Sequence, residues 1–347
     1  PQRPVISFSR SKKGLAMRFP RAVLAAAAAL VLALTGCASG APSPSATGTP
    51  SSSAAGAFPA TVDTAFGAVT VDKAPQRIVA LGWGDAEVAL ALGAQPVGAS
   101  DWLGFGGDGQ GPWAQGLYTT APTIIGTMEP SYEAIAALQP DLILDVRSSG
   151  DKDRYQRLSQ ITTTVGIPEG GESWLTSMED QVDLISTVLG VPEKGKELLA
   201  KVDATYSDVA AAHPQWKGKT VAAAAKTSEG WGAYIKGGGR VETLERFGFV
   251  QSPTIAALPT DTSGFTVKIS SENLDQLEAD LIVAFPIYLE TTAITDDPAW
   301  QRLAAVQQGR AVVIDGDVSN AFSASTPLAS IYAVQQLTPL FEKALPA

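Results

Sequence analysis

Short, unbroken apolar runs punctuate this chain, and amphipathic stretches separate them. Leu142-Ile143-Leu144 and Leu281-Ile282-Val283 are two such runs, with the length and composition of strands buried on both faces of a parallel sheet. Each follows the same preamble. In "SYEAIAALQPDLIL", Ser131 stands at an N-cap position, Ile135 and Leu138 recur at helical spacing, and Pro140 ends the helix before the strand. In "SSENLDQLEADLIV", 139 residues later, Ser270 takes the cap position and Leu274 and Leu277 face inward. Through Phe285, six of sixteen aligned positions are identical.

Helix-strand grammar alone produces some of that likeness, but the correspondence continues on both sides. "DRYQRL" (153–158) is echoed by "PAWQRL" (298–303), and "QRIVALGWGDAEVALALG" more loosely by "GKTVAAAAKTSEGWG" with "VETLERFGF". Strands alternating with amphipathic helices read as parallel α/β units. The expected fold class is therefore α/β, with two lobes of similar plan around central, mainly parallel sheets. Between them, from about Pro192 to His213, Leu198, Leu199, Val202 and Val209 keep helical spacing, with Pro214 beyond. About 22 residues at 1.5 Å each make a rod of about 33 Å, long enough to join two lobes and set their separation. The expected division is an N-terminal lobe over 58–190, an interlobe helix over 191–214 and a C-terminal lobe over 215–347, with a ligand cleft between the lobes.

The first 57 residues follow a different pattern. Six basic residues (Arg3, Arg10, Lys12, Lys13, Arg18, Arg21) and no acid precede thirteen apolar residues, Ala22 to Leu34, and Leu34-Thr35-Gly36-Cys37 closes the run. That is the layout of a secretory signal, and thirteen residues fall short of the roughly 20 that a membrane-spanning helix needs. The Leu-Thr-Gly-Cys stretch resembles a bacterial lipobox. It implies a signal peptide over 1–37 and a lipidated Cys37 that anchors the protein at the extracytoplasmic face of the bacterial cell membrane. Residues 38–57, rich in Ala, Ser, Gly and Pro, read as a flexible tether.

Composition narrows the chemistry. Cys37 is the only cysteine and His213 the only histidine, which leaves no disulfide framework, no His-rich site for a bare transition metal and no Ser-His or Cys-His catalysis. His213 reads as a solvent-facing residue or a helix cap. Neither a G-x-S-x-G elbow nor a Walker-type loop occurs, so an enzyme is disfavoured. The whole chain carries −10; its 25 basic residues less the leader's six leave 19 against 35 acids, a net −16 for the body. Such a charge speaks against a nucleic-acid partner and suits neutral or cationic ligands.

Ligands of open α/β sheets bind beyond the carboxyl ends of the strands. The loops expected there, after Ala80, Val97, Leu144, Ala225 and Val283, carry Trp83, Trp102, Phe105, Trp231, Tyr234, Phe285 and Tyr288, together with Arg147 and Arg240. Any one of these aromatics reads as core; as a set at strand ends they suggest a ligand surface. A guanidinium fork there would donate to the oxygens of a chelate, although Arg147 in a polar loop also reads as a surface ion pair.

The stretches "FGAVTVDKAPQRIVALGWGDAEVALALGAQPVGAS", "EAIAALQPDLIL", "ENLDQLEADLIV" and "SASTPLASIYAVQQLTPLF" resemble the substrate-binding lipoproteins of ABC importers for ferric siderophores, a family with relatives that bind cobalamin and haem. The resemblance covers roughly Phe58 to the C-terminus. It implies two α/β lobes joined by one long helix with the ligand held between them. It also implies that Glu133 and Glu272, one on each lobe, pair with arginines on the permease membrane subunits. Both lie in a first helical turn, where the helix dipole favours an acid in any case. A helix that leads into a parallel strand also starts on the ligand-entry side, which suits docking.

The expectation is a monomeric, lipid-anchored solute-binding protein with no resident metal or cofactor. It captures a ferric siderophore, a hydroxamate in preference, and delivers it to an ABC permease. The alternatives are a cobalamin- or haem-binding member of the same superfamily, with Tyr234 or Tyr288 as a haem ligand, or a cell-surface binding protein outside transport.

Overall fold

The computed structural model describes residues 57–261 and 264–346. The expected signal peptide, the lipidated Cys37 and residues 38–56 of the expected tether lie outside them. The first element is a hairpin: β1 (Ala60–Thr64) and β2 (Gly67–Val71) pair antiparallel, with Ala60 opposite Val71. Ala60, Val62 and Thr64 are buried in alternation, as a period of two requires. Next come β3 (Ile78–Ala80), α1 (Asp85–Ala91), β4 (Gly98–Ser100), β5 (Thr123–Ile125), α2 (Tyr132–Ala137), β6 (Leu142–Leu144), α3 (Lys152–Ser159) and β7 (Thr164–Val165). Their strands form an all-parallel sheet in the order β5-β4-β3-β6-β7. Every residue of β3, β4 and β6 is buried, as the unbroken apolar sequences of β3 and β6 require, and in β4 the Ser100 hydroxyl donates to the Leu81 carbonyl at 2.9 Å. The winding reverses at β3, and at such a switch point the crevice beyond the strand ends is open to a ligand.

Two helices lead out of this lobe, α4 (Met178–Val188) and α5 (Pro192–Ala212). With 21 residues, α5 is about 32 Å long. Pro192 opens it, where a missing N–H costs nothing, and His213 ends it. The imidazole is not simply solvated: it stacks on Trp216 at 4.0 Å, and its Nε2 lies 3.3 Å from Glu342 Oε1. Val202 and Tyr206 are buried, while Leu198, Leu199 and Val209 pack half-buried on the same core.

The second lobe comprises β8 (Thr220–Thr227), β9 (Gly230–Tyr234), α6 (Gly239–Arg246), β10 (Val250–Gln251), β11 (Thr266–Ile269), β12 (Leu281–Pro286) and β13 (Ala311–Val313). The sheet order is β11-β9-β8-β12-β13, with β10 beside the start of β8. Strands β8, β10, β12 and β13 run parallel, while β9 and β11 run antiparallel to their neighbours. The stretch after Ala225, expected as a cleft loop, is therefore largely a hairpin strand. Its turn is tight: Gly230 takes φ +125 and Thr227 Oγ1 accepts the Glu229 N–H at 3.1 Å. Gly-Trp-Gly-Ala-Tyr then alternates faces, so Trp231 and Ala233 enter the core on one side of the sheet and Tyr234 that on the other.

The chain closes with α7 (Gly316–Ala324) and α8 (Pro327–Ala344). Helix α8 packs on α5 and β13 and also reaches back to α1 and to the 3-10 turn Pro112–Ala114 of the first lobe. One apolar cluster runs from Val62 and Leu144 through Val182, Val202 and Leu337 to Val221 and Phe285.

The repeated segment has a shared job. Asp141, just before β6, accepts the N–H groups of Gln76 at 2.8 Å and Arg77 at 2.9 Å. Asp280, just before β12, accepts the N–H and hydroxyl of Thr220 at 2.8 and 2.9 Å, and these bonds hold its carboxyl below the usual range. Each aspartate ties down the start of the neighbouring strand, which sets Ile78 opposite Leu142 and Val221 opposite Leu281. The caps differ. Ser131 Oγ accepts the Ala134 N–H at 3.2 Å, but Ser270 makes no side-chain cap, because Ser271–Leu277 is a 3-10 segment with Asn273 off helical geometry. Leu274 and Leu277 are still buried, since three-residue spacing aligns side chains in a 3-10 turn.

Candidate functional site

Loops from both lobes meet across a cleft. Trp83, just beyond β3, is the middle of three indoles: Trp102 stacks on it at 4.4 Å and 10°, and Trp174 at 4.2 Å and 24°. Trp174 holds a left-handed φ of 62, and its N–H donates to the Ser148 carbonyl at 2.8 Å. Arg147 follows β6 and is only 7% exposed, so it is no surface ion pair. Its Nε donates to the Thr176 carbonyl at 3.0 Å and Nη1 to the Ala324 carbonyl at 2.9 Å, which joins the first lobe to the end of α7. On the facing side Tyr234 stacks on Phe285 at 5.8 Å. Arg240, in the first turn of α6, lies over both rings, 4.4 Å from Tyr234 and 5.5 Å from Phe285.

Trp83, Arg147, Trp174, Tyr234, Arg240 and Glu242 border this cleft. Two donors among them, Trp83 Nε1 and Arg240 Nε, are buried with no acceptor among the described residues. Leaving a buried donor unpaired costs roughly 1–3 kcal/mol, and folded proteins leave few. Both side chains border the cleft, and acceptor oxygens are what these two groups lack. Burial lowers the pKa of Arg147, against the pull of Asp85 and Glu242, and burial lowers that of Arg240. Burial, reinforced by Glu179, raises that of Glu242.

Behind the cleft wall, the two acids of α1 point inward. Asp85, 0% exposed, accepts the N–H groups of Val146 at 2.8 Å and Arg147 at 3.4 Å and the Gln181 Nε2 donor at 2.6 Å. Glu87 accepts Trp113 Nε1 at 2.7 Å, the Ala329 N–H at 3.3 Å and the Thr326 hydroxyl. Burial raises both carboxyls despite these bonds, Asp85 to about 6. Two glycines make the approach possible. A Cβ on Gly82 would collide with the Asp85 carboxylate and lie 2.8 Å from the Arg147 nitrogen, and one on Gly84, at φ +80, would strike Thr326 Cγ2.

Of the residues expected at the site, Trp83, Arg147, Tyr234 and Arg240 come together in the cleft. Trp102 backs Trp83 and, with Phe105, borders a small adjoining cavity, where Phe105 meets Trp113 edge-on at 5.6 Å. Phe285 lies buried under Tyr234. Trp231 does not border this cleft: the β9 alternation turns it to the opposite face, stacked on Trp300 at 5.5 Å and bonded to Asp297 Oδ2 at 3.1 Å, and it borders a neighbouring cavity that Tyr234 shares. Tyr288 is 99% exposed and does not border the cleft. Glu133 and Glu272 are exposed in the first turns of α2 and of the 3-10 segment. Trp174, Asp85 and Glu87 were not expected at the site. Trp174 was readable by the rule that found the others, being an aromatic beyond a strand end in "GGESW". Among the described residues no group of three His, Cys, Asp or Glu side chains is placed to hold a metal ion.

Two α/β lobes bridged by a helix, with paired arginines and stacked indoles facing each other across a cleft, make this a two-lobed ligand-binding protein. The chain belongs to the periplasmic binding protein family, whose model matches residues 78–318, and the relatives it matches are binding proteins rather than enzymes. It is similar to the probable siderophore-binding lipoprotein YfiY of Bacillus subtilis (strain 168), 27% identical over 270 residues that cover 74% of this chain and 80% of that protein. Two solved structures are also similar. A periplasmic solute binding protein from Mycobacterium smegmatis has 27% identity and a TM-score of 0.72, covering 82% of this chain and 98% of that one. PiaA of Streptococcus pneumoniae in complex with ferrichrome has 27% identity and a TM-score of 0.70, with the same coverage.

Proposed function

We propose that this chain is the lipid-anchored, extracytoplasmic binding component of an ABC importer and that it captures a ferric siderophore between its lobes. One observation carries the reading: Trp83 and Arg240, whose buried Nε1 and Nε donors have no partner among the described residues, border one aromatic cleft together with Arg147. A ferric chelate offers what these donors lack, a shell of anionic or polarised oxygens around a metal that needs no further ligand. Its apolar flanks suit indole and phenol rings. The iron is cargo, and Trp83, Arg147, Trp174, Tyr234 and Arg240 would grip the chelate around it.

The likeness to YfiY supports the siderophore class, and the likeness to PiaA with ferrichrome supports a hydroxamate. Two arginines in one cleft also favour a carboxylate chelate, since guanidinium forks match carboxylates. Delivery would use Glu133 and Glu272, one exposed acid per lobe, against arginines of the permease, with a monomer held by Cys37 and its tether.

Tryptophan fluorescence titration tests the reading, with ferrichrome, ferric citrate, a ferric catecholate, cobalamin and haem, each beside its metal-free form where one exists. Saturable, submicromolar quenching by ferrichrome or ferric citrate, with little from the iron-free ligand, is the expected result. Binding of cobalamin or haem alone would move the protein to another ligand class, and no quenching by any of them would overturn the transport reading.

A further inference from the structure

We propose that Asp85, assisted by Gln181, is the positioning residue of the cleft: its carboxylate locks the Trp83 and Arg147 loops into one wall without touching the ligand. The proposal rests on the reading of this cleft as the ligand site. Asp85 collects three donors and, among the described residues, no side-chain cation pairs with it. Val146 N–H and Arg147 N–H come from the loop after β6, and Gln181 Nε2 comes from α4. The same Gln181 nitrogen donates to the Trp83 carbonyl at 2.9 Å, and the Trp83 N–H donates to the Arg147 carbonyl at 2.8 Å. Asp85, Gln181, Trp83 and Arg147 thus form a closed ring of hydrogen bonds. Thr176 extends it, donating its hydroxyl to the Val146 carbonyl at 2.8 Å and accepting Arg147 Nε at 3.0 Å. The direction of the guanidinium is fixed by backbone that Asp85 holds in place.

All three partners of Asp85 donate to it, so this spot calls for an acceptor. An ionised carboxylate offers about four acceptor sites, whereas the amide of an asparagine would turn a donor toward Val146 or Gln181. The neighbouring charge is already committed elsewhere, because Asp145 pairs with Arg154 at 2.6 Å. Asp145 and Arg147 are the charged groups that act on Asp85, and from α4 the neutral Gln181 meets it. An unpaired buried carboxylate is unfavourable for stability, and Gly82 keeps the space it needs. That expense makes sense if the residue serves the cleft rather than the fold.

The proposal separates affinity from stability. Burial lifts the Asp85 carboxyl to about 6 from an ordinary 3.8. As pH falls through about 6 the group gains a proton, two of its N–H partners compete for fewer lone pairs, and the Trp83–Arg147 wall loosens. Folding responds with the opposite sign. The folded state holds that proton more tightly than the unfolded chain, so the contribution of Asp85 to stability is full below the ordinary carboxyl value and is lost as pH rises through about 6.

The test uses the full protein at pH 8 to 5, with Kd for ferrichrome and ferric citrate, Tm in the same buffers, and the near-ultraviolet circular dichroism of the indole stack without ligand. Expected in the parent is weaker binding of the chelate as pH falls through about 6. Asp85→Asn should bind about tenfold more weakly at pH 7.5 and lose that pH step, and Glu87→Gln should keep it. If Asp85→Asn does not fold, Gln181→Met takes its place, with about the same loss of affinity expected. Parental affinity and pH profile in the variant would overturn the proposal. If the parent binds neither chelate at any pH, the transport reading fails and the ligand-free spectrum decides. A pH-dependent indole signal that Asp85→Asn abolishes supports positioning, and a spectrum in the parent that ignores pH overturns it.

Discussion

The carboxylate of Glu87 accepts the hydroxyl proton of Thr326, a residue 239 positions further along the chain. Glu87 belongs to the first helix of one lobe, and Thr326 is the N-cap of the closing helix α8. Glu87 also accepts the Ala329 N–H in the first turn of α8. A helix start favours an acid nearby, and here a different part of the chain supplies it.

Thr326→Val keeps the shape of the side chain and removes the donor. It should lower stability by about 1–3 kcal/mol, read from urea denaturation. Glu87→Gln should lower stability at least as much, because an amide that keeps its oxygen toward Thr326 turns its NH2 toward the Trp113 Nε1 donor. A Thr326→Val protein as stable as its parent would show that this contact contributes nothing.

Binding and folding should separate at the aromatics. Arg240→Met and Trp83→Phe each remove an unpaired cleft donor, and each should weaken chelate binding by about tenfold or more. Trp231→Phe loses the bond to Asp297 and part of the stack on Trp300. It should leave Kd unchanged while lowering stability by about 1–3 kcal/mol, so fluorescence titration beside thermal melting distinguishes the two groups.

Reversing both exposed acids, Glu133→Lys with Glu272→Lys, should abolish uptake of the iron chelate by whole cells while the purified protein keeps its Kd. Lost affinity would assign the acids to the ligand site instead of the permease face.

Lobe closure should be small. Helix α5 gives no flexible hinge, one apolar cluster spans both sheets, and Arg147 and Glu87 bind residues 324–329 from the first lobe. Crystal structures with and without ligand should differ by a few degrees of lobe rotation; several tens of degrees would defeat this expectation.

Much of this architecture was legible in the chain because single physical rules governed it. Ile78–Ala80 and Leu142–Leu144 are too apolar and too short for anything but buried strands, and Pro192 and Pro214 bracket a helix. The shared aspartates of the two "DLI" segments stood in plain view, although what they hold became apparent only with the strand register. The rest depended on directions that periodicity cannot supply. Strand β9 looked like a loop because its alternation rests on two glycines and one tryptophan, and only the strand shows that Trp231 and Tyr234 point to opposite faces. Nothing in the sequence sets Asp85 and Glu87 apart from the other acids of first helical turns. Their inward direction follows from how α1 packs, and that is set by residues nearly a hundred and well over two hundred positions away.

The return of α8 to the first lobe bears on how this molecule can be handled. Tyr332 of α8 lies 5.5 Å from Trp113, beside the indole nitrogen that Glu87 holds. A fragment cut at the end of α5 would leave behind the helix that covers this corner, and a chain clipped within α5 would still be stitched together through α8. Dissection of the two halves therefore calls for co-expression, with α8 supplied in trans, rather than for cloning either half alone.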